Sequence, residues 1–520
     1  MRIIRLRLAD FLPRRELAVE FGNQQDSSMN MAFLVGPNGS GKSRVLEALG
    51  RIFSHLDAGL PVGMDFELEY ELGPRRILVT TRQPLAEIAE PPARIEQIDA
   101  WVLVDEQNIG RWRPSHAWDE WSFGSLERLL PAQVIGLSSG PASRLDWALR
   151  GAVADSLAQR RESEAQRPVG GIPASEWRSY SEEEKREAER EQRLAGARSR
   201  CVALSGQELA LAVLTILCHP SKLKGGTRIR NDLLRRVGLT RKSLLAFTFE
   251  VSAQGREQLL PKSRDKFDEL LEHSVRRVAL AADHDPSGEE EAERDERVVF
   301  EVTSEFQDWV AKSADTPFVW FLQLLRWLKA GALRTVRMVL RKSRDKDLFL
   351  ASDFSDGEFL LLGRYGLLLL LREHDECLIL FDEPETHFND QWKVNLVYDL
   401  VRIFKSTSAQ VVIATHSDIT LSDADREAVR VFDSPEAMKG QVLTVRKPPI
   451  SPLGAERSGI SASVFEAEPA IGKYVQEMVI EPSLRRRKPK EIRAAIDRVG
   501  PGYQQFRLRQ ALREVENDAD

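Results

Sequence analysis

Gly36-Pro37-Asn38-Gly39-Ser40-Gly41-Lys42-Ser43 gathers three glycines, a lysine and a following hydroxyl within eight residues. Gly36, Gly39 and Gly41, with Asn38 between them, let backbone N–H groups turn inward around a polyanion. Lys42 is placed to reach outer phosphates, and the Ser43 hydroxyl to hold magnesium. Such a loop needs a strand before it and a helix after it. The apolar run Met31–Val35 reads as a buried strand, and Val45, Leu46, Leu49, Ile52 and Phe53 recur at helical spacing. The helix start adds partial positive charge, so bound phosphate is the expectation rather than a chance glycine turn.

A second group lies far along the chain. Leu378-Ile379-Leu380-Phe381 reads as a buried strand ending in Asp382 and Glu383. At the C-terminal edge of a parallel strand, Asp382 would join a magnesium shell and Glu383 would polarise an attacking water. Before it stands Phe354-Ser355-Asp356-Gly357-Glu358, leading into a helix. After it, Gln410–Ala414 reads as a strand that delivers Thr415-His416-Ser417 to the same edge. Taken singly, an acidic pair or a histidine after a strand is as compatible with a structural role.

The order of these parts (glycine loop, Ser-x-Gly-Glu before a helix, strand with Asp-Glu, strand with His) resembles the ABC-type ATPase module. It is most similar to the branch that holds the structural-maintenance-of-chromosomes (SMC) proteins and the overcoming-lysogenization-defect nucleases. The resemblance implies an α/β head of two lobes, with a mixed sheet and flanking helices, that uses ATP and Mg2+. It also implies a homodimer or higher oligomer through the heads. In it Ser355, Gly357 and Glu358 meet nucleotide held by the other subunit, and His416 senses the γ-phosphate. Leu204-Ser205-Gly206-Gln207-Glu208 looks more like the family's signature, but only Ser355 leads closely into the Asp-Glu strand. The glutamine that the family places between its lobes would be Gln133, with Ser138 or Ser139 as alternatives.

Glu383-Pro384-Glu385-Thr386-His387-Phe388-Asn389 is similar to the corresponding loop of ATPases in prokaryotic anti-phage systems, which puts His387 near the dimer seam. The resemblance extends to Septu-type systems, where such an ATPase works with an HNH nuclease. A separate nuclease partner is therefore implied, because the stretch from Pro435 shows no evident acidic metal cluster.

Organisation follows from composition. In 520 residues, 42% hydrophobic and 30% charged, with formal net charge −6, there is material for a large core and no uniformly basic coat. Three cysteines match no zinc or disulfide framework, and no apolar run reaches a membrane span, so a soluble cytoplasmic protein is expected. Residues 1–149 read as the first half of an ATPase domain and 150–348 as a mostly helical insertion. Residues 349–433 read as the second half, and 434–520 as a helical tail and partner-binding candidate. Within the insertion, Gln159–Arg167 and Ser181–Arg200 read as solvated connector, and Phe318–Leu340 as helix. Basic clusters at Lys222–Lys242, Arg326–Lys346 and Arg485–Lys490 are either solvated faces or contacts to DNA phosphates. In the second, Arg334, Arg337, Arg341 and Arg344 recur at helical spacing, and Phe506 reads as a packing residue rather than a base-stacking one. The rival to a defence ATPase is a DNA-repair or chromosome-associated clamp; a nuclease activity of the chain itself and a hexameric motor are disfavoured.

Overall fold

The computed structural model describes residues 1–12, 15–21, 30–58, 60–82, 93–95, 100–105, 127–138, 145, 148–149, 200–204, 206–220, 223, 226–259, 261–280, 295–342, 347–372, 376–405, 407–433, 442–465, 473–486, 488–500 and 502–517. The connector expected at 159–167, residues 181–199 of the one expected at 181–200, and Ser139, Ser205, Lys222 and Arg344 lie outside them.

The chain opens with β1 (Arg2–Leu12), β2 (Arg15–Glu20) and β3 (Met31–Val35). Then come α1 (Lys42–Ala58), β4 (Phe66–Leu72), β5 (Arg75–Thr80), β6 (Ala93–Ile95) and β7 (Ala100–Asp105). After β8 (Gln133–Ser138) and β9 (Cys201–Leu204) follow α2 (Gly206–Cys218), α3 (Thr227–Arg236), β10 (Leu244–Val251), β11 (Arg276–Ala279) and β12 (Glu296–Glu301). Next are α4 (Pro317–Lys329), β13 (Leu333–Arg341), β14 (Leu348–Leu350) and α5 (Asp356–Leu371). The series continues with β15 (Cys377–Asp382), α6 (Asp390–Phe404), β16 (Gln410–Thr415), β17 (Val429–Val431) and β18 (Val442–Thr444). The fold is α/β, with one parallel and two predominantly antiparallel sheets.

The parallel sheet runs β17-β3-β16-β15-β8-β9. Its strands are apolar without alternation, β3 and β16 being buried at every residue, as expected where helices or a second sheet cover both faces. Register then decides where chemistry falls. Val35 pairs with Thr415, and Asp382 pairs with both Ala414 and Ser138, so four strands end at one edge. Helix α1 packs with its apolar stripe (Val45, Leu49, Ile52, Phe53) in a core that also holds Leu6, Leu68 and Tyr70 of a seven-stranded sheet, β18-β2-β1-β4-β5-β7-β6. The two sheets are stitched by the Gln410 carboxamide, which accepts the Ile3 N–H at 2.7 Å.

The region expected to be mostly helical instead carries a five-stranded antiparallel sheet, β11-β12-β10-β13-β14. Its core is aromatic: Phe247 and Phe300 stack with ring centroids 4.9 Å apart. The helix expected over 318–340 stops at Lys329. Gly331 takes a positive φ of 77°, its N–H bonds the Leu328 carbonyl and the Ala332 N–H bonds that of Trp327, which is a Schellman termination. Beyond it, Leu333, Val336, Met338 and Leu340 are buried along a strand, so Arg334, Arg337 and Arg341 sit on a strand rather than a helix face. β9 belongs to the parallel sheet, which moves the start of the inserted region past Leu204.

β18 pairs with β2, so the first compact unit reaches Ala455 rather than ending at 433. A second unit, Glu456–Asp520, is helical and includes α7 (Pro489–Arg498) and α8 (Tyr503–Asn517) around a small core of Val479, Ile492, Ala495 and Leu508. No helix among the described residues is long and apolar enough to cross a membrane.

Candidate functional site

The loop from Gly36 to Gly41 turns between β3 and α1 through backbone states that only glycine adopts cheaply. Gly36, Gly39 and Gly41 have φ of 150°, 80° and 101°. At Gly36 a Cβ would also stand 2.4 Å from the Phe432 carbonyl oxygen. Asn38 is exposed at the loop tip and Ser40 is buried under it. Lys42 is 5% exposed, and its ammonium donates to the carbonyls of Gly36 and Pro37 at 2.8 and 2.9 Å. Burial pulls the Lys42 pKa down, and the carboxylates of Glu383, Asp382 and Glu385 oppose that pull.

Across the edge, the Ser43 hydroxyl donates to Asp382 Oδ1 at 2.8 Å. Burial pushes the Asp382 carboxyl up, and the Ser43 bond counters it. A hydroxyl and a carboxylate oxygen side by side at the mouth of the glycine loop are hard oxygen donors of the kind that suit magnesium. Among the described residues no group of three His, Cys, Asp or Glu forms a protein-only metal cage.

Glu383 follows Asp382 with φ of 50°, a left-handed conformation that costs a non-glycine residue about 1 kcal/mol or more. The surroundings hold it there. Its N–H donates to the Ala414 carbonyl at 2.9 Å, and its Oε1 lies 3.2 Å from His416 Nδ1. With Nδ1 protonated, the imidazole donates to the carboxylate. His416 and Glu383 thus meet although they leave different strands.

Beneath them lie residues that the sequence reading did not single out. Glu385 is 2% exposed; its Oε1 accepts a hydrogen bond from Thr415 Oγ1, and its Oε2 is buried with no hydrogen-bond partner. Thr415 Oγ1 in turn accepts the Ser417 N–H at 2.9 Å, so the hydroxyl clamps the turn on both sides of His416. Burial pushes the Glu385 carboxyl up. The buried guanidinium of Arg364 on α5 donates to the Pro384 carbonyl and faces the Phe388 ring at 5.6 Å; burial takes its pKa down to about 10. The one sequence signal for this layer was a second acid two residues after Glu383.

The serine-bearing helix forms a neighbouring cluster. Ser355 is the N-cap of α5: its Oγ accepts the Glu358 N–H at 3.3 Å, while the Glu358 carboxylate accepts from Ser355 N at 3.0 Å and Oγ at 2.9 Å. Glu358 therefore works as a reciprocal cap. Gly357 is buried where a Cβ would come 2.6 Å from the His387 carbonyl oxygen, which seats the helix start on the loop that begins at Glu383. Gln133 starts β8 opposite Cys377, at the far end from the site, whereas Ser138 ends that strand opposite Asp382. Of the alternatives for the glutamine position, Ser138 is on the edge and Gln133 is not.

No curated protein matches the chain. Among solved structures it is similar to an SMC head domain from Thermotoga maritima, at 12% identity and a TM-score of 0.32, covering 86% of this chain and 100% of that one. It is also similar to an Smc head domain with an extended coiled coil bound to the C-terminal domain of ScpA, derived from Pyrococcus furiosus, at 12% identity and a TM-score of 0.31, covering 86% and 96%. Residues 221–422, which include Ser355, Asp382, Glu383 and His416 but not the glycine loop, match the family described as AAA domain, putative AbiEii toxin, Type IV TA system.

Proposed function

We propose that this protein binds and hydrolyses ATP at the sheet edge, as an ABC-type, SMC-like head that closes face to face on a second copy. The carrying observation is that the parallel register brings Lys42, Ser43, Asp382, Glu383 and His416 together, with Ser43–Asp382 at 2.8 Å and Glu383–His416 at 3.2 Å. The glycine loop and the N-terminus of α1 direct N–H groups at the phosphates, and Lys42 adds its charge to the outer ones. Ser43 and Asp382 would hold Mg2+, which would offset charge on the phosphate oxygens during transfer. Glu383 orients the attacking water and takes its proton as the bond to the leaving ADP oxygen breaks. His416 holds that carboxylate in place. Ser355, exposed at the start of α5, and the buried Gly357 behind it are proposed to meet the γ-phosphate held by the other copy.

Dimerisation in trans has a direct test. Lys42→Ala and Ser355→Arg subunits should each be inactive alone, but mixing them leaves one intact composite site in each mixed dimer. The mixture should regain up to about a quarter of the native hydrolysis rate. Glu383→Gln should hold ATP and persist as a dimer by light scattering. A mixture that stays at the background of its components would rule out the trans site while leaving nucleotide binding to be judged by affinity alone.

The finer reading is a sensor or regulator in an anti-phage complex that controls a separate HNH-type nuclease. The loop Glu383–Asn389 and the toxin-system description of the matched family support it. The adjacent reading frame decides between this and a DNA-repair clamp: a nuclease there that co-purifies with the protein favours the first, and ATP-dependent duplex binding without any neighbour's product favours the second.

A further inference from the structure

We infer that the helical unit of residues 456–520 is a binding platform for single-stranded nucleic acid, centred on Tyr503, Phe506, Arg509 and Arg513 of α8. The inference does not depend on the ATP reading. Helix α8 turns Leu508 inward, with Leu512 and Val515 against the same small core, where Val479 and Ile492 meet it. That core is aliphatic and leaves the aromatics outside. Tyr503 and Phe506 are 67% and 62% exposed, which overturns the expectation that Phe506 is a packing residue. Spacings of three, three and four place Tyr503, Phe506, Arg509 and Arg513 on one outward stripe. The Arg507 guanidinium lies 6.0 Å from the Tyr503 ring centroid, beside the stripe.

Charge points the same way. The unit as a whole holds twelve Lys and Arg against eleven acids, but they are unevenly spread: from Arg485 to Arg513 there are ten Lys and Arg against two acids. Some of these cations are matched: Arg485 pairs with Glu481 at 3.2 Å, Lys488 with Glu491 at 3.6 Å and Arg493 with Glu516 at 2.5 Å. Among the described residues Lys490, Arg498, Arg509 and Arg513 have no carboxylate partner. Unmatched arginines beside exposed rings suit a polyanion that also offers flat apolar faces. A duplex backbone would use the cations but leave the rings idle, whereas unpaired bases stack on them.

The test uses the full chain and fluorescence anisotropy with labelled oligothymidylate and oligouridylate of about 20 nucleotides, and a duplex of the same length. Binding to one or both single strands is expected to exceed binding to the duplex, and the two arms separate DNA from RNA. Tyr503→Ala and Phe506→Ala should each weaken it by about tenfold with the salt slope unchanged. The double change Arg509→Gln and Arg513→Gln should instead lower that slope by about one to two. All four side chains are exposed, so melting temperature and ATP hydrolysis should stay native. Duplex binding as tight as single-strand binding and indifferent to both rings would overturn the proposal. So would no oligonucleotide binding at low salt, or ring-dependent binding to anionic phospholipid vesicles in its place.

Discussion

The parallel sheet and the inserted antiparallel sheet divide the labour of this molecule through the way each treats charge. In the parallel sheet the strands are largely buried along their length, and apart from the buried Arg430 in β17 charged groups appear where strands end: Lys42 past β3, Asp382 and Glu383 at β15, His416 past β16. In the antiparallel sheet charge lies across the strands. Glu250 on β10 reaches Arg297 on β12 at 2.9 Å and Arg337 on β13 at 3.3 Å. One sheet concentrates charge at an edge, where burial shifts the Asp382 carboxyl and the Lys42 ammonium against their charged forms. The other spreads charge over a wet face, where it fixes register. A charge change at the edge should therefore alter chemistry, and the same kind of change on the face should alter only stability.

The largest expected effect sharpens that contrast. Lys42→Ala removes the one ammonium inside the glycine loop, and charge-assisted phosphate contacts are worth about 2–3 kcal/mol. ATP affinity should fall about 30- to 150-fold by equilibrium dialysis. Native affinity in this variant would mean that the loop is not the phosphate site.

What the sequence made legible follows from the same difference. Strands buried on both faces are uninterrupted apolar runs, so β3, β15 and β16 could be read nearly to the residue, along with the polar residues at their ends. The antiparallel sheet was missed because β13 continues the apolar content of α4. Only Gly331 between them marks the change from a period near four to a period of two. Glu385 and Thr415 were illegible for another reason. Their link spans two strands, and nothing in the residue types says that a glutamate after a proline will be buried under its neighbours.

That hidden link gives an intermediate effect. Thr415→Val removes a hydroxyl that both donates to Glu385 and accepts from Ser417 N–H. Leaving those groups unpaired should cost about 2–4 kcal/mol of stability. If the clamp also positions His416 against Glu383, kcat for ATP should drop about tenfold with KM nearly unchanged, and Thr415→Ser should restore both. Reduced melting temperature with native kcat would assign the clamp to stability alone and blur the distinction between edge and face.

The smallest effect belongs to the wet face. Partial burial alone would push the Glu250 carboxyl up, but hydrogen bonds from Thr335 and Arg297 and the charges of Arg337 and Arg297 outweigh it and hold it below the ordinary carboxylate value. A depressed folded-state value means that the ionised form is favoured by folding. The stabilisation is therefore complete above the unfolded carboxylate range and is lost as pH falls through the lower folded value. Glu250→Gln should cost about 0.5–1 kcal/mol near neutral pH, less in high salt because the face is exposed. The difference in melting temperature between native and variant should close on acidification, while ATP hydrolysis at neutral pH stays native. A variant that hydrolyses ATP slowly at unchanged stability would show that the inserted sheet communicates with the edge, and that the two regions are not divided in the way their charges suggest.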